Sequence, residues 1–248
     1  MSYFDQSPYD IRCEWGLEGI RELAPITDLF VIVDVISFST CTSMAIDRGA
    51  TVHPFLFRDE RAVGVAKSLG AEMAGRRGSG SKFTLEPGSM LKLEKGQKIV
   101  LPSPNGSRLS THVGSVETVA GCLRNASAIG AFVRAKGIKR VSVIPAGERW
   151  TQDETLRPAL EDWLGAGAII TGLTGSKSAE ALAAEKAFAS MKSELSFFLS
   201  KCGTGRELTE RGYPNDPAYA SELDVSGLVP HLVDGAYVPA KFQAGSGK

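Results

Sequence analysis

Six short apolar runs rich in Val and Ile, each followed by a stretch with helical spacing, constrain this chain more than any other feature of its sequence. The runs are DIRCEW (10–15), LFVIVDV (29–35), TVHPFLF (51–57), KIVLPS (98–103), ETVAGC (117–122) and RVSVIPA (140–146). Between them lie LEGIRELA, STCTSMAIDRG, DERAVGVAKSLG, GSRLSTHVG and NASAIGAFVRAKG. Strand-length runs alternating with amphipathic stretches make strand–helix–strand crossovers. The pattern predicts an α/β protein with a mixed or largely parallel sheet flanked by helices.

After residue 150 the character turns helical, with TLRPALEDWLGAGAIITGL and the Ala-rich SAEALAAEKAFASMKSELSFFLSK, and strand signals stop until the tail. A chain of 248 residues can bury a large core. Residues 1–240 therefore read as one α/β domain, or two closely packed α/β subdomains, helix-rich after about 150. The tail KFQAGSGK (241–248) is polar and glycine-rich and is expected to fray. No repeat of 20–50 residues is visible.

Lys plus Arg and Asp plus Glu both number 28, so no global field draws the chain to nucleic acid or to an anionic membrane. Cys13, Cys41, Cys122 and Cys202 are far apart in sequence and form no C-x-x-C, which argues against a zinc site or a disulfide framework. The N-terminal MSYFDQSPYDIRCEWG carries acids and no apolar leader region, and no apolar run reaches the roughly 18 residues of a membrane span. These features lead us to expect a soluble cytoplasmic protein.

The chemistry concentrates where strands end. Asp34 closes an apolar run and is followed by Ser37, Ser39, Thr40, Thr42 and Ser43. In open α/β sheets ligands bind beyond the carboxyl ends of strands, where helix N-termini present unpaired N–H groups. KIVLPS exits the same way into Ser103, Asn105, Gly106, Ser107 and Arg108, and RVSVIPA exits into Gly147, Glu148 and Arg149. If the three strands are neighbours, their exits form an anion-binding crevice. A plainer reading makes Ser39 or Thr40 a helix cap and the Asn-Gly pair a β-turn. Glu161 and Asp162 stand in the otherwise apolar ALEDWLGAGAII, either at a solvent edge or on a cation, and Gly165 and Gly167 suggest close packing there.

Other chemistries lack their signatures. His53, His112 and His231 share no zinc-ligand spacing, and there is no G-x-S-x-G elbow. GSGK at 245–248 has no following Ser/Thr and no helix to open, so it is no Walker loop. GRRGSGSK at 75–82 is either an exposed loop or a basic flap over an anionic ligand. Oxygen ligands remain, and Mg²⁺ is the hard cation suited to phosphate chemistry.

Five segments in order give a resemblance to a known family: VDVISFSTCTSMAIDRGA, PSPNGSRLS, PAGER, EDWLGAGAII and GRELTERGYPNDPAYAS. Together they resemble the 2-phosphosulfolactate phosphatase family, the ComB-like enzymes, over the stretch from EWGLEGI (14–20) to DVSGLVP (224–230). The resemblance implies an α/β, Mg²⁺-dependent phosphatase of coenzyme M biosynthesis, acting on a lactate that bears a phosphate ester and a sulfonate. By matching position it implies roles for Asp34, Asn105, Gly106, Gly147, Glu161, Asp162, Arg206 and Asp216. We expect Asp34, Asn105 and Arg206 in the catalytic step, with Asp34, Glu161 and Asp162 on the metal. Ser37, Ser39, Thr40, Ser103, Gly106, Ser107, Arg108, Gly147 and Asp216 are expected around the substrate.

Two segments depart from the family pattern. Where many members read Asp-Val-Leu-Arg-Ala, this chain reads Asp34-Val35-Ile36-Ser37-Phe38, and where many read Cys-Ala-Gly it has Pro145-Ala146-Gly147. Alternatives left open are another anionic metabolite on the same scaffold and a non-catalytic anion-binding protein. The partner expected is a phosphorylated small acid, with a homo-oligomer neither required nor opposed by the sequence.

Overall fold

The computed structural model describes residues 4–56 and 59–242. Phe57, at the end of one expected strand, and most of the expected tail lie outside the described residues. Among the described residues nine strands form one sheet. In chain order they are β1 (Ile11–Cys13), β2 (Leu29–Val33), β3 (Thr51–Phe55), β4 (Glu72–Met73), β5 (Lys98–Pro102), β6 (Glu117–Gly121), β7 (Val141–Pro145), β10 (Pro230–Val233) and β11 (Ala236–Pro239). A separate two-stranded ribbon pairs β8 (Glu148–Arg149) with β9 (Leu156–Arg157).

The sheet order is β1-β7-β2-β6-β10-β11-β3-β5-β4. All six expected strands are present and, with the short β4 that the sequence did not predict, lie in two parallel blocks: β1, β7, β2 and β6 in one, β3, β5 and β4 in the other. The C-terminal hairpin β10–β11 joins them through antiparallel pairs, His231 opposite Val119 and Tyr237 opposite Val52. The mixed α/β class expected from the sequence, with a mostly parallel sheet and a helix-rich C-terminal part, is the observed one.

β2 shows why its sequence is apolar throughout. Successive side chains of a strand point to opposite faces. Leu29, Val31 and Val33 pack in one core with Ile129, Leu164 and Ile169, and Phe30 and Ile32 pack in another with Leu17, Ile20 and Ile144. A strand covered on both faces has no polar position to offer. A third cluster, including Phe38, Met44, Val52, Ile99 and Leu101, fills the second block.

The helices that matter for the site leave from strand ends. In chain order they are α1 (Gly16–Leu23), α2 (Phe38–Asp47), α3 (Glu60–Leu69), α4 (Pro87–Met90), α5 (Gly106–Ser110), α6 (Ala126–Lys136) and α7 (Leu160–Thr171). The C-terminal part adds α8 (Ala179–Met191), α9 (Leu195–Lys201), α10 (Gly203–Glu210) and α11 (Asn215–Ala220). α7 lies close to β2 because Gly165 has no side chain: a Cβ there would fall 2.5 Å from Val35 Cγ2. Gly167 plays the same part against α8, where a Cβ would fall 2.1 Å from the Ala184 carbonyl. Both glycines thus have the packing role their position in ALEDWLGAGAII suggested.

Candidate active site

β2, β5 and β7 end at one crevice. Their exits meet although β2 and β5 belong to different blocks, as the contacts of Asp34 show. Its Oδ2 accepts the Gly106 amide at 2.8 Å and the Ser103 hydroxyl at 3.3 Å, and its Oδ1 accepts the Phe38 amide at 3.1 Å. Phe38 and Gly106 are the first residues of α2 and α5, so two helix N-termini converge on one buried carboxylate, as the helix dipole favours. Gly106 must be glycine for this, since a Cβ would fall 2.3 Å from the Phe38 ring.

Two of the hydroxyls after Asp34, those of Ser39 and Thr40, lock this junction. Ser39 Oγ accepts the Asp34 amide at 3.0 Å and donates to the Ile32 carbonyl at 3.1 Å, and Thr40 Oγ1 donates to the Val35 carbonyl at 2.7 Å. Ser107 Oγ does the same for β5, donating to the Leu101 carbonyl at 2.7 Å. Such bonds use hydroxyl groups to hold the turn out of each strand.

Asp162 joins the third exit to the first. Its Oδ1 accepts the Val35 amide at 2.7 Å and its Oδ2 accepts the Gly147 amide at 2.8 Å. Both oxygens of this expected metal ligand are therefore used as a clamp between β2 and β7, and the Gly147 amide faces a carboxylate of the protein. Gly147 itself has φ +66°, a conformation that favours glycine. Glu161, only 2% exposed, lies one residue earlier in the same first turn of α7.

Glu148 completes the group, and the sequence had placed it only at the level of the third exit. Asn105 Nδ2 donates to its Oε2 at 2.9 Å. The other amide atom, Asn105 Oδ1, is buried with no hydrogen-bond partner among the described residues. Three of these acids, Asp34, Asp162 and Glu148, are held above their ordinary range by burial and by the neighbouring charges. Burial first, and the neighbouring Glu161 after it, hold Asp34 above the ordinary carboxylate range despite its amide bonds. Burial, then Asp34 and Glu161, push Asp162 well up, and burial with the Asp34 charge pushes Glu148 up to about 7.

The remaining expected residues divide. Ser37 and Asp216 are brought together by Arg77, from the GRRGSGSK loop: Arg77 Nη2 donates to Ser37 Oγ at 2.6 Å and its Nε donates to Asp216 Oδ2 at 3.0 Å. Arg108 lies half-buried in the last turn of α5, with no side-chain bond to these carboxylates among the described residues. Arg206 is not brought to the crevice; its side chain is 67% exposed on α10 and stands 3.9 Å from Glu210. Beside Glu148 opens a cavity of about 370 Å³, lined by Ile36, Arg76, Arg77, Pro104 and Thr204 among others.

No three His, Cys, Asp or Glu side chains among the described residues form a ready-made metal cage. The donors that gather are nevertheless hard oxygens, with Asn105 Oδ1 orphaned among them. This fits Mg²⁺, which is held by one or two carboxylates and completes its octahedron with water and phosphate oxygens. It does not fit zinc, whose sites use nitrogen and sulfur.

Fold and site together define an α/β protein with a buried carboxylate cluster at the carboxyl ends of its strands and an arginine-lined cavity beside it. The sequence model of the 2-phosphosulpholactate phosphatase family matches residues 18–235, and the chain belongs to that family. Its relatives include proteins named probable 2-phosphosulfolactate phosphatase from Gloeobacter violaceus and Thermotoga maritima. The first is 26% identical over 221 residues, covering 84% of this chain and 91% of the relative. The second is 27% identical over 219 residues, covering 86% and 92%. A family and relatives named as phosphatases agree with the expected enzyme class, phosphoric monoester hydrolase. Among the described residues no helix is long and apolar enough to cross a membrane.

Proposed function

We propose that this chain is a Mg²⁺-dependent phosphatase that hydrolyses the phosphate ester of a small acidic metabolite, with 2-phosphosulfolactate, giving sulfolactate and inorganic phosphate, as first choice. The observation that carries this reading is Asp34: a buried acid at the end of β2, gripped by the N-termini of α2 and α5. Three further carboxylates lie beside it, and an arginine-lined cavity opens next to Glu148. Buried acids without a matching cation are costly, and a hard divalent ion offsets that cost. Family membership supports the choice of ester.

Asp34 and Glu161 are the carboxylates proposed to hold the ion, with Asn105 Oδ1 as a neutral oxygen donor. Asp162 supports them by fixing the exits of β2 and β7. When bound, Mg²⁺ supplies Lewis-acid polarisation of a phosphoryl oxygen and offsets charge in the transition state. Two amides and a hydroxyl hold Asp34 rigid, which suits a positioned ligand better than an attacking nucleophile, so we favour water as the nucleophile. Glu148, with its pKa near 7, is suited to accept a proton from that water, and Asn105 holds its carboxylate in place. The water oxygen bonds to phosphorus, the ester oxygen leaves with the shared electron pair, and a proton returns to it.

The test is phosphate release from a panel of monoesters, with Mg²⁺ and then with EDTA. Hydrolysis of 2-phosphosulfolactate above the others, abolished by EDTA, is the expected result. Faster hydrolysis of an unrelated ester would move the substrate. Absence of any hydrolysis would leave an anion-binding protein.

A further inference from the structure

Arg77 is built into the crevice on a pattern that a solvent-facing loop arginine does not need. Its Nε donates to Asp216 Oδ2 at 3.0 Å and its Nη2 stands 2.9 Å from the same oxygen. Nη2 also donates to Ser37 Oγ at 2.6 Å and to the Leu85 carbonyl at 2.7 Å. The guanidinium lies 5.9 Å from the centre of the Tyr213 ring, and the side chain is 16% exposed. Three segments of the chain thus fix one edge of the fork. The opposite nitrogen, Nη1, has no hydrogen bond among the described residues.

The position relative to Asp34 is close. Ser37, which accepts from Arg77, immediately precedes Phe38, whose amide donates to Asp34. Arg77 also lines the cavity of about 370 Å³ that Glu148 borders, together with Arg76 and Arg211. Arg211 is paired with Glu207, and Arg76 is exposed. Arg77 is therefore the partly buried, pre-oriented cation of that cavity. One end of the crevice gathers carboxylates and the other a guanidinium, and a planar guanidinium suits an oxyanion by paired N–H bonds.

We infer that Arg77 is a specificity-determining residue that binds a second oxyanion group of the substrate, a sulfonate or carboxylate, while the phosphate ester lies toward Asp34. This rests on the phosphatase reading above. Asp216 acts as a positioning residue, because it fixes the fork without being needed on the substrate.

The experiment compares wild type, Arg77→Met and Arg77→Lys by kcat/KM on 2-phosphosulfolactate, 2-phospholactate and phenyl phosphate. The lysine keeps the charge and loses the fork. A charge-assisted pair of ordinary strength predicts that Arg77→Met lowers the ratio of phosphosulfolactate to phenyl phosphate by about tenfold or more, with Arg77→Lys in between. A matching fall for phospholactate identifies the carboxylate as the group read, and a fall confined to phosphosulfolactate identifies the sulfonate. Ratios unchanged in both variants overturn the assignment, and being ratios they are insensitive to partial unfolding. If wild type hydrolyses none of the three, the phosphatase reading has failed, and calorimetric binding of sulfolactate decides about Arg77 separately. Binding weakened about tenfold by Arg77→Met upholds the anchor; equal binding removes it.

Discussion

A carboxylate that accepts two backbone amides and a hydroxyl would ordinarily titrate low, yet Asp34 is held high, because burial and the Glu161 charge outweigh those bonds. The same competition governs Glu148, and there it gives a pH dependence. Its carboxyl keeps a proton up to about 7 in the folded chain, against 4.5 ordinarily. The folded state therefore holds the extra proton between those values, and this group's contribution to stability, fully present below 4.5, is lost as pH rises through 7. Without divalent cations, chemical denaturation across that window should show Glu148→Gln losing less stability than wild type, by on the order of 3 kcal/mol. Equal slopes would mean that Glu148 is well solvated. Asn105→Ala removes both the donor that holds Glu148 and the orphaned Oδ1. Turnover should fall by roughly tenfold to a thousandfold, the range for a lost orienting group, with little change in melting temperature. A lowered melting temperature with unchanged turnover would make the Asn-Gly turn purely structural.

At the scale of elements, α7 is both a packing helix and part of the site, and its two glycines separate those functions. Gly165→Ala places a methyl against Val35, next to the amide that Asp162 holds. Overpacking of this kind costs about 1–3 kcal/mol, and here it should also lower the turnover of the protein that remains folded. Gly167→Ala meets α8 instead, so its expected effect is on melting temperature alone. Calorimetry with kcat for both variants checks this, and equal losses of turnover would disprove the separation. The elements differ in how legible they were. β2 could be read because a strand covered on both faces is a continuous apolar run, and β7 because it is such a run but for Ser142. β10 and β11 escaped because each is four residues long with a proline at one end. Their signal was present in the Asp234-Gly235 pair, both with positive φ, the strongest short hairpin mark. The hydroxyls after Asp34 were legible as a cluster, but their use against backbone carbonyls depends on how α2 leaves β2. Arg77 stood in a loop whose sequence allowed a basic flap, and only the fold brings it to Ser37. Arg206 matched a family position by sequence alone, and its place on the outer side of α10 follows from the packing of the C-terminal helices.

For the whole molecule, the hairpin β10–β11 is the piece that makes one sheet from two parallel blocks. Asp34 comes from one block and Ser103 and Gly106 from the other, so the site exists only when both are joined. Asp34 is therefore the point where the two halves meet, and the proposed function puts the ion and the ester at the same residue. The most direct measurement is phosphate release from 2-phosphosulfolactate by EDTA-treated protein as Mg²⁺ is added back, in wild type and in Asp34→Asn. We predict saturable recovery in wild type, and in the variant a turnover at least about a hundredfold lower, roughly 2.7 kcal/mol of barrier, with a melting temperature little changed because the removed charge was itself costly to bury. Undiminished release after chelation, or a fully active Asp34→Asn, would contradict the account.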